Sequence, residues 1–157
     1  MIIPLIGIDL GSRLAAVLVT GTFDCPALLD VRRWSRWDAE EVVAQLKKWR
    51  RSKRARGARI WCEGTFSGPK WLRDVGRLQE AQAGCLQGMI GDVFERVPPV
   101  SATEARIAWA AFGRPAEGAG DAGEHVRDAL GVAWKALNRR TDAAAIGAVA
   151  MSREGKR

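Results

Sequence analysis

Apolar residues run almost unbroken through LIGIDLGSRLAAVLV (5–19), interrupted at Asp9 and again at Gly11-Ser12-Arg13. Two apolar runs flanking a Gly-Ser turn predict paired strands over 5–10 and 14–20. GTFDCP (21–26) supplies turn residues, and ALLDVRRW (27–34) reads as a third strand, which makes an antiparallel meander. The period then changes. Val42, Val43, Leu46 and Trp49 recur at helical spacing behind Asp38, a residue suited to cap a helix that runs to about 52. ARIWCEGTF (58–66) is a short apolar strand with Glu63 near its end, and Pro69 opens a helix reaching about 88. VFERVPP (93–99) is a strand stopped by two prolines. Ser101, with Glu104 three residues on, forms a capping-box start for a helix over 102–112. GRPAEGAGDAG (113–123) is a Gly-rich loop, and two further helices are expected over about 124–137 and 141–152.

An opening meander followed by αβα units implies an α/β fold: a mixed five-stranded sheet with helices on both faces. No internal repeat and no long linker divides the chain, so one domain over 1–152 with a polar tail at 153–157 is expected. The 157 residues carry a net charge of +7, a balance that favours a polyanionic partner. Asp9 and Arg13 break the only long apolar run near the N-terminus, which excludes a membrane span there. Three widely spaced cysteines, Cys25, Cys62 and Cys85, show no zinc-ligand pattern. Reduced thiols and a cytoplasmic location are the matching expectations.

A carboxylate inside a strand built for a core is costly unless it has a partner or a task. Asp9 ends the first strand and Glu63 ends the fourth. If those strands are neighbours, the two acids meet at one sheet edge, where like charges repel unless a cation lies between them. Oxygen ligands of this kind suit magnesium, with manganese as a substitute. A third acid follows the sheet. In the helix over 124–137 the apolar stripe is Val126, Ala129, Leu130, Ala133 and Leu137, and Asp128 projects away from it, towards solvent with Lys135. Asp142 shares a face with Ile146 and Val149, so the face argument favours Asp142. His125 stands three residues before Asp128, a spacing that fits both on one metal and fits equally an exposed histidine on an amphipathic helix.

The segments IGIDLGSRLAAVLV, IWCEGTF and TDAAAIGAVA, in that order, resemble the three catalytic segments of RuvC-type Holliday junction resolvases. The resemblance implies a ribonuclease H-like fold. It also implies magnesium-dependent endonuclease activity on four-way DNA junctions, with paired symmetric nicks. Asp9, Glu63 and Asp142 match the family's catalytic and metal-binding acids, with Asp128 and His125 as the alternative register in the helix EHVRDALGVAWKAL. The family carries an acid or a histidine three residues before its last aspartate; here that position, counted from Asp142, is Arg139. Resemblance and ligand chemistry together imply two-metal phosphodiester hydrolysis, with Asp9 bridging ions roughly 3.5–4 Å apart.

Phe66 matches the aromatic that reaches the junction centre in the family, and Lys70 follows it as a phosphate contact. The basic run Lys47, Lys48, Arg50, Arg51, Lys53 and Arg54 is a further DNA-binding candidate. A four-way junction has two-fold symmetry, so a homodimer is implied, with no membrane and no small-molecule substrate. Two other functions fit the same residues: a broader nuclease of flaps and forks, and a branched-DNA-binding protein whose site is degenerate at Arg139.

Overall fold

The computed structural model describes the backbone of residues 3–64, 70–91 and 94–154, and the side chains of 3–64, 74–91 and 94–140. Leu5–Asp9 (β1), Leu14–Gly21 (β2) and Pro26–Trp34 (β3) form the antiparallel meander. Arg59–Glu63 (β4) and Phe94–Val97 (β5) extend the sheet in parallel, giving the order β3-β2-β1-β4-β5. β1 is therefore the central strand, which explains its unbroken burial. The fold is the mixed five-stranded α/β arrangement expected from the sequence.

Alternation along β1 divides the core into two layers. Ile6 and Ile8 point into one layer, with Val42, Val43, Leu46 and Trp49 of Ala39–Arg51 (α1) and Ala83 and Leu86 of Lys70–Ile90 (α2). Leu5 points into the other, packed with Val126, Ala129, Leu130, Ala133 and Leu137 of Glu124–Glu154 (α4). Ala102–Ala111 (α3) packs beside α4. The caps form as the sequence indicates: Asp38 accepts from Glu41 N–H at α1, and Ser101 and Glu104 form a reciprocal capping box at α3.

One element differs from expectation. Residues 124–154 form one helix, not two. Asn138 and Thr141 are good capping residues, but Asn138-Arg139-Arg140-Thr141 contains neither Gly nor Pro, so nothing there forces the helical hydrogen bonds to break.

Candidate metal centre

Asp9 is the last residue of β1 and shares the strand face of Leu5 and Gly7, the face on which α4 lies. Its side chain is 8% exposed. The turn that follows is clamped by α2. Gly11 N–H donates to Gln82 Oε1 and Gln82 Nε2 donates to Gly11 O, both at 2.8 Å, while Gln79 Nε2 donates to Leu10 O at 2.9 Å. Gln82 is thus a buried polar residue whose task is to hold the chain just beyond Asp9. β4 runs parallel to β1 with Leu5 opposite Arg59 and Gly7 opposite Trp61. The same register carried two residues on sets Asp9 level with Glu63, one interstrand spacing of about 4.8 Å away.

α4 closes the site from above because β1 offers it Gly7. A Cβ there would lie 2.7 Å from Ala129 O and 2.9 Å from Ala133 Cβ, so only glycine lets the helix sit this low. The first turns of α4 then overhang the carboxyl ends of β1 and β4. His125 Nδ1 lies 2.8 Å from Asp9 Oδ2, where an imidazole N–H donates to the carboxylate. One ligand atom each from Asp9, His125 and Asp128 lie within 4.8 Å of one another.

The electrostatics are those of a site built for a cation. Burial raises the Asp9 carboxyl above its usual range, opposed by the His125 hydrogen bond. Burial, then the charges of Asp9 and Asp128, push Glu63 up to about 7, and a hydrogen bond from the Val100 backbone partly opposes them. Burial, then Asp9 and Glu124, push Asp128 up to about 6. His125 is raised, chiefly by its bond to Asp9. Three carboxylates crowd this edge, with the His125 imidazole hydrogen-bonded to Asp9. The donor set, carboxylate oxygens with one imidazole nitrogen, fits a hard or borderline divalent ion such as magnesium or manganese.

The third acid at this edge is Asp128, not the solvent-facing residue expected from the helical stripe. Val132, one turn after Asp128, is fully buried, as is Ala136. The buried arc of α4 is therefore wider than the stripe of large apolar residues indicated, and Asp128 sits at its margin, half-buried. Lys135, expected beside it in solvent, instead bonds Pro99 O at 2.8 Å and Glu104 at 2.7 Å.

Asp142 is not brought to the cluster. α4 runs antiparallel to β1: Arg140 donates to Ile3 O and Gly21 O, at the opposite end of the sheet from His125 and Asp9. Asp142 lies fourteen residues beyond Asp128, about 21 Å along the helix axis. Its side chain lies outside the described residues. His125 and Asp128 carry a His-x-x-Asp spacing, while Arg139 donates to Arg96 O. Phe66 lies outside the described residues, as does the Lys70 side chain; Lys70 is the first residue of α2.

The basic run is not at the edge where Asp9, His125 and Asp128 meet. Arg50 Nε donates to Ala58 O and Arg54 to Leu29 O, which fixes the end of α1 beside the start of β4 and β3. Lys47, Lys48, Arg51, Lys53 and Arg54 are exposed there, on the opposite layer from α4. The determinants least visible in the sequence are Gly7 and Gln82. A glycine inside a strand pattern, which signals close backbone approach, was the available sign for the first.

Fold and site together define a class: a ribonuclease H-like domain with a carboxylate–histidine cluster at the carboxyl edge of its central strands. Solved structures that share this architecture include two of RuvC. One is T. thermophilus RuvC in complex with Holliday junction substrate, with a TM-score of 0.65 at 15% identity over 88% of this chain and 96% of that one. The other is a Thermus thermophilus RuvC structure, with a TM-score of 0.52 at 15% identity over 90% and 97% of the two chains. The chain therefore has the RuvC fold across nearly its whole length. Neither protein-family models nor curated protein sequences give a match.

Proposed function

We propose that this protein is a divalent-metal-dependent endonuclease that resolves four-way DNA junctions by paired nicks. The observation that carries the reading is the convergence of Asp9, His125 and Asp128 on one point, with Glu63 level on the next strand. Asp9, Asp128, Glu63 and His125 are the residues that hold the cation. Bound there, magnesium or manganese supplies Lewis-acid stabilisation of the phosphoryl oxygens and lowers the pKa of water.

The chain's own groups divide the remaining work. Asp9, buried and followed by the clamped turn, is the anchor of the cluster. Glu63 has a backbone partner at Val100 and is half-buried, so it positions the attacking water at the rim. His125, hydrogen-bonded to Asp9, would orient that carboxylate and offer a ring nitrogen to the cation. The overhang of α4 limits the water that reaches the acids.

Paired nicks call for two sites, and a homodimer supplies them. The outer face of α2 supports such a contact: Val75, Leu78 and Met89 are each more than 40% exposed, with Cys85 beside Met89. Phe66 and Lys70 serve as junction-centre and phosphate contacts, and the exposed lysines and arginines at the end of α1 add salt-sensitive affinity for the arms. No helix among the described residues is long and apolar enough to cross a membrane, and the proposed location is the cytoplasm of a bacterial or phage-infected cell.

The test is cleavage of end-labelled four-way junction and linear duplex, with magnesium, manganese or chelator. Symmetric cation-dependent nicks in the junction alone, lost in Asp9→Asn with binding retained, are expected. Equal cutting of flaps and forks replaces the resolvase by a broader branched-DNA nuclease. Junction binding without nicks in either metal replaces it by a non-catalytic binder.

A further inference from the structure

Three arginines far apart in the sequence, Arg106 of α3, Arg114 of the Gly-rich loop and Arg127 of α4, line one cavity of about 420 Å³ together with Trp109 and a single acid, Asp121. We infer that this cavity is a second phosphate-binding site, which takes a nucleotide unit of the DNA strand some way from the scissile bond. The inference rests on the proposed action on DNA, and its test is arranged to fail separately.

The cavity is a constructed feature, not a chance run of surface charge. Arg127 Nη1 donates to Gly118 O at 2.7 Å and Gly120 O at 2.5 Å, which folds the loop over α4. Trp109 Nε1 donates to Pro115 O at 2.9 Å, and Gly118 abuts the indole so closely that a Cβ would lie 2.8 Å from it. Arg114 N–H donates to Trp109 O at 2.9 Å. This holds Arg114 at φ 51, the one non-glycine residue in the left-handed region among those described. Such a conformation costs a long side chain free energy and persists where the surroundings impose it.

The result is a pair of cations with nothing to neutralise. The guanidinium groups of Arg106 and Arg114 are exposed and have no hydrogen-bond or ion-pair partner among the described residues. Arg127 is half-committed to the loop carbonyls, and Asp121 offsets one charge of three. Planar guanidinium forks beside an aromatic face match a nucleotide, phosphate to the forks and base to the indole. Position supports a strand over a free ligand. Arg127 is the residue before Asp128 but lies on another face of α4, so the cavity is about one helix diameter, roughly 10 Å, from the metal-binding cluster. At about 3.4 Å of rise per nucleotide, that is some three nucleotides along a strand leaving the site.

The experiment measures binding, not cleavage. Fluorescence anisotropy with a four-way junction in chelator, from 50 to 200 mM salt, compares wild type with R106Q/R114Q and with R77Q, a single-charge control on α2. In parallel, calorimetry titrates thymidine 3′,5′-bisphosphate. The proposal expects R106Q/R114Q to bind junction on the order of tenfold or more weakly at 0.1 M salt and to lose about two units of salt slope. It also expects loss of bisphosphate binding, with R77Q near wild type and the far-ultraviolet spectrum unchanged. Unchanged affinity and slope in R106Q/R114Q overturn it, as does loss of bisphosphate binding alone, which would assign the cavity to a free nucleotide. A wild type that binds no DNA refutes the nuclease reading, and the cavity then stands or falls on the bisphosphate titration.

Discussion

Gly7→Ala isolates the contact that assembles the metal centre without touching any group in it. The added methyl would lie 2.7 Å from Ala129 O and 2.9 Å from both Ala133 Cβ and Ala133 N. Two of those three atoms are helix backbone, which cannot swing aside as a side-chain end can, so α4 must lift off β1 by something on the order of 0.5–1 Å. Overpacking of this kind costs about 1–3 kcal/mol. The alanine recovers about 0.4–1 kcal/mol by restricting the unfolded chain. The net loss is therefore about 1–2 kcal/mol, which for a chain of this size lowers Tm by roughly 2–8 °C. The site should lose more than the fold, because His125 and Asp128 ride on the displaced helix while Asp9 stays on β1; a misplacement near 1 Å costs about 100-fold in rate. Thermal unfolding, manganese titration and junction cleavage on the same variant give the three readouts. A Gly7→Ala protein with unchanged Tm and unchanged manganese affinity would refute the seating of α4 on this glycine, and with it the account of how the cluster forms.

Asp128→Asn should abolish cleavage and weaken manganese binding at least tenfold, whereas Asp142→Asn should leave both near wild type; calorimetry and a cleavage assay on the two variants decide between the two registers. Glu63 and Asp128 are raised in the folded state, to about 7 and about 6. Their contribution to stability is thus complete below their unfolded values and lost as pH rises through about 6–7 in cation-free protein. Added manganese or magnesium should restore Tm most strongly above pH 7 and hardly at all at pH 5, and a cation-induced shift larger at pH 5 would contradict the assignment. Gln82→Leu removes both bonds to Gly11 and leaves a half-buried turn unsatisfied, so chemical denaturation should show a loss of about 1–3 kcal/mol. A neutral Gln82→Leu would mean that the turn beyond Asp9 holds itself.

The opening meander, the caps at Asp38 and Ser101 and the strand-end positions of Asp9 and Glu63 were legible in the sequence because each depends on local pattern: alternation, a capping residue, a carboxylate at a strand end. The third acid was not, and the reason is geometric. Two segments, HVRDALGVA and TDAAAIGAVA, each present an aspartate with helical periodicity, and face alone cannot separate them because face repeats every 3.6 residues. What separates them is distance along the axis. α4 spans 31 residues, about 46 Å, while the five residues of β1 beneath it span about 16 Å. Only the turns at one end of so long a helix can face the carboxyl edge of the strand. That end is chosen by chain direction, which Arg140 at Ile3 O and His125 at Asp9 report from the two extremes of the crossing. The expected break at residues 138–140 hid this, because a second, separate helix would have been free to return to the edge. Once the helix is continuous, any acid beyond its first two turns is carried away from Asp9 whatever face it occupies, and His125 and Asp128 are left as the side chains within reach.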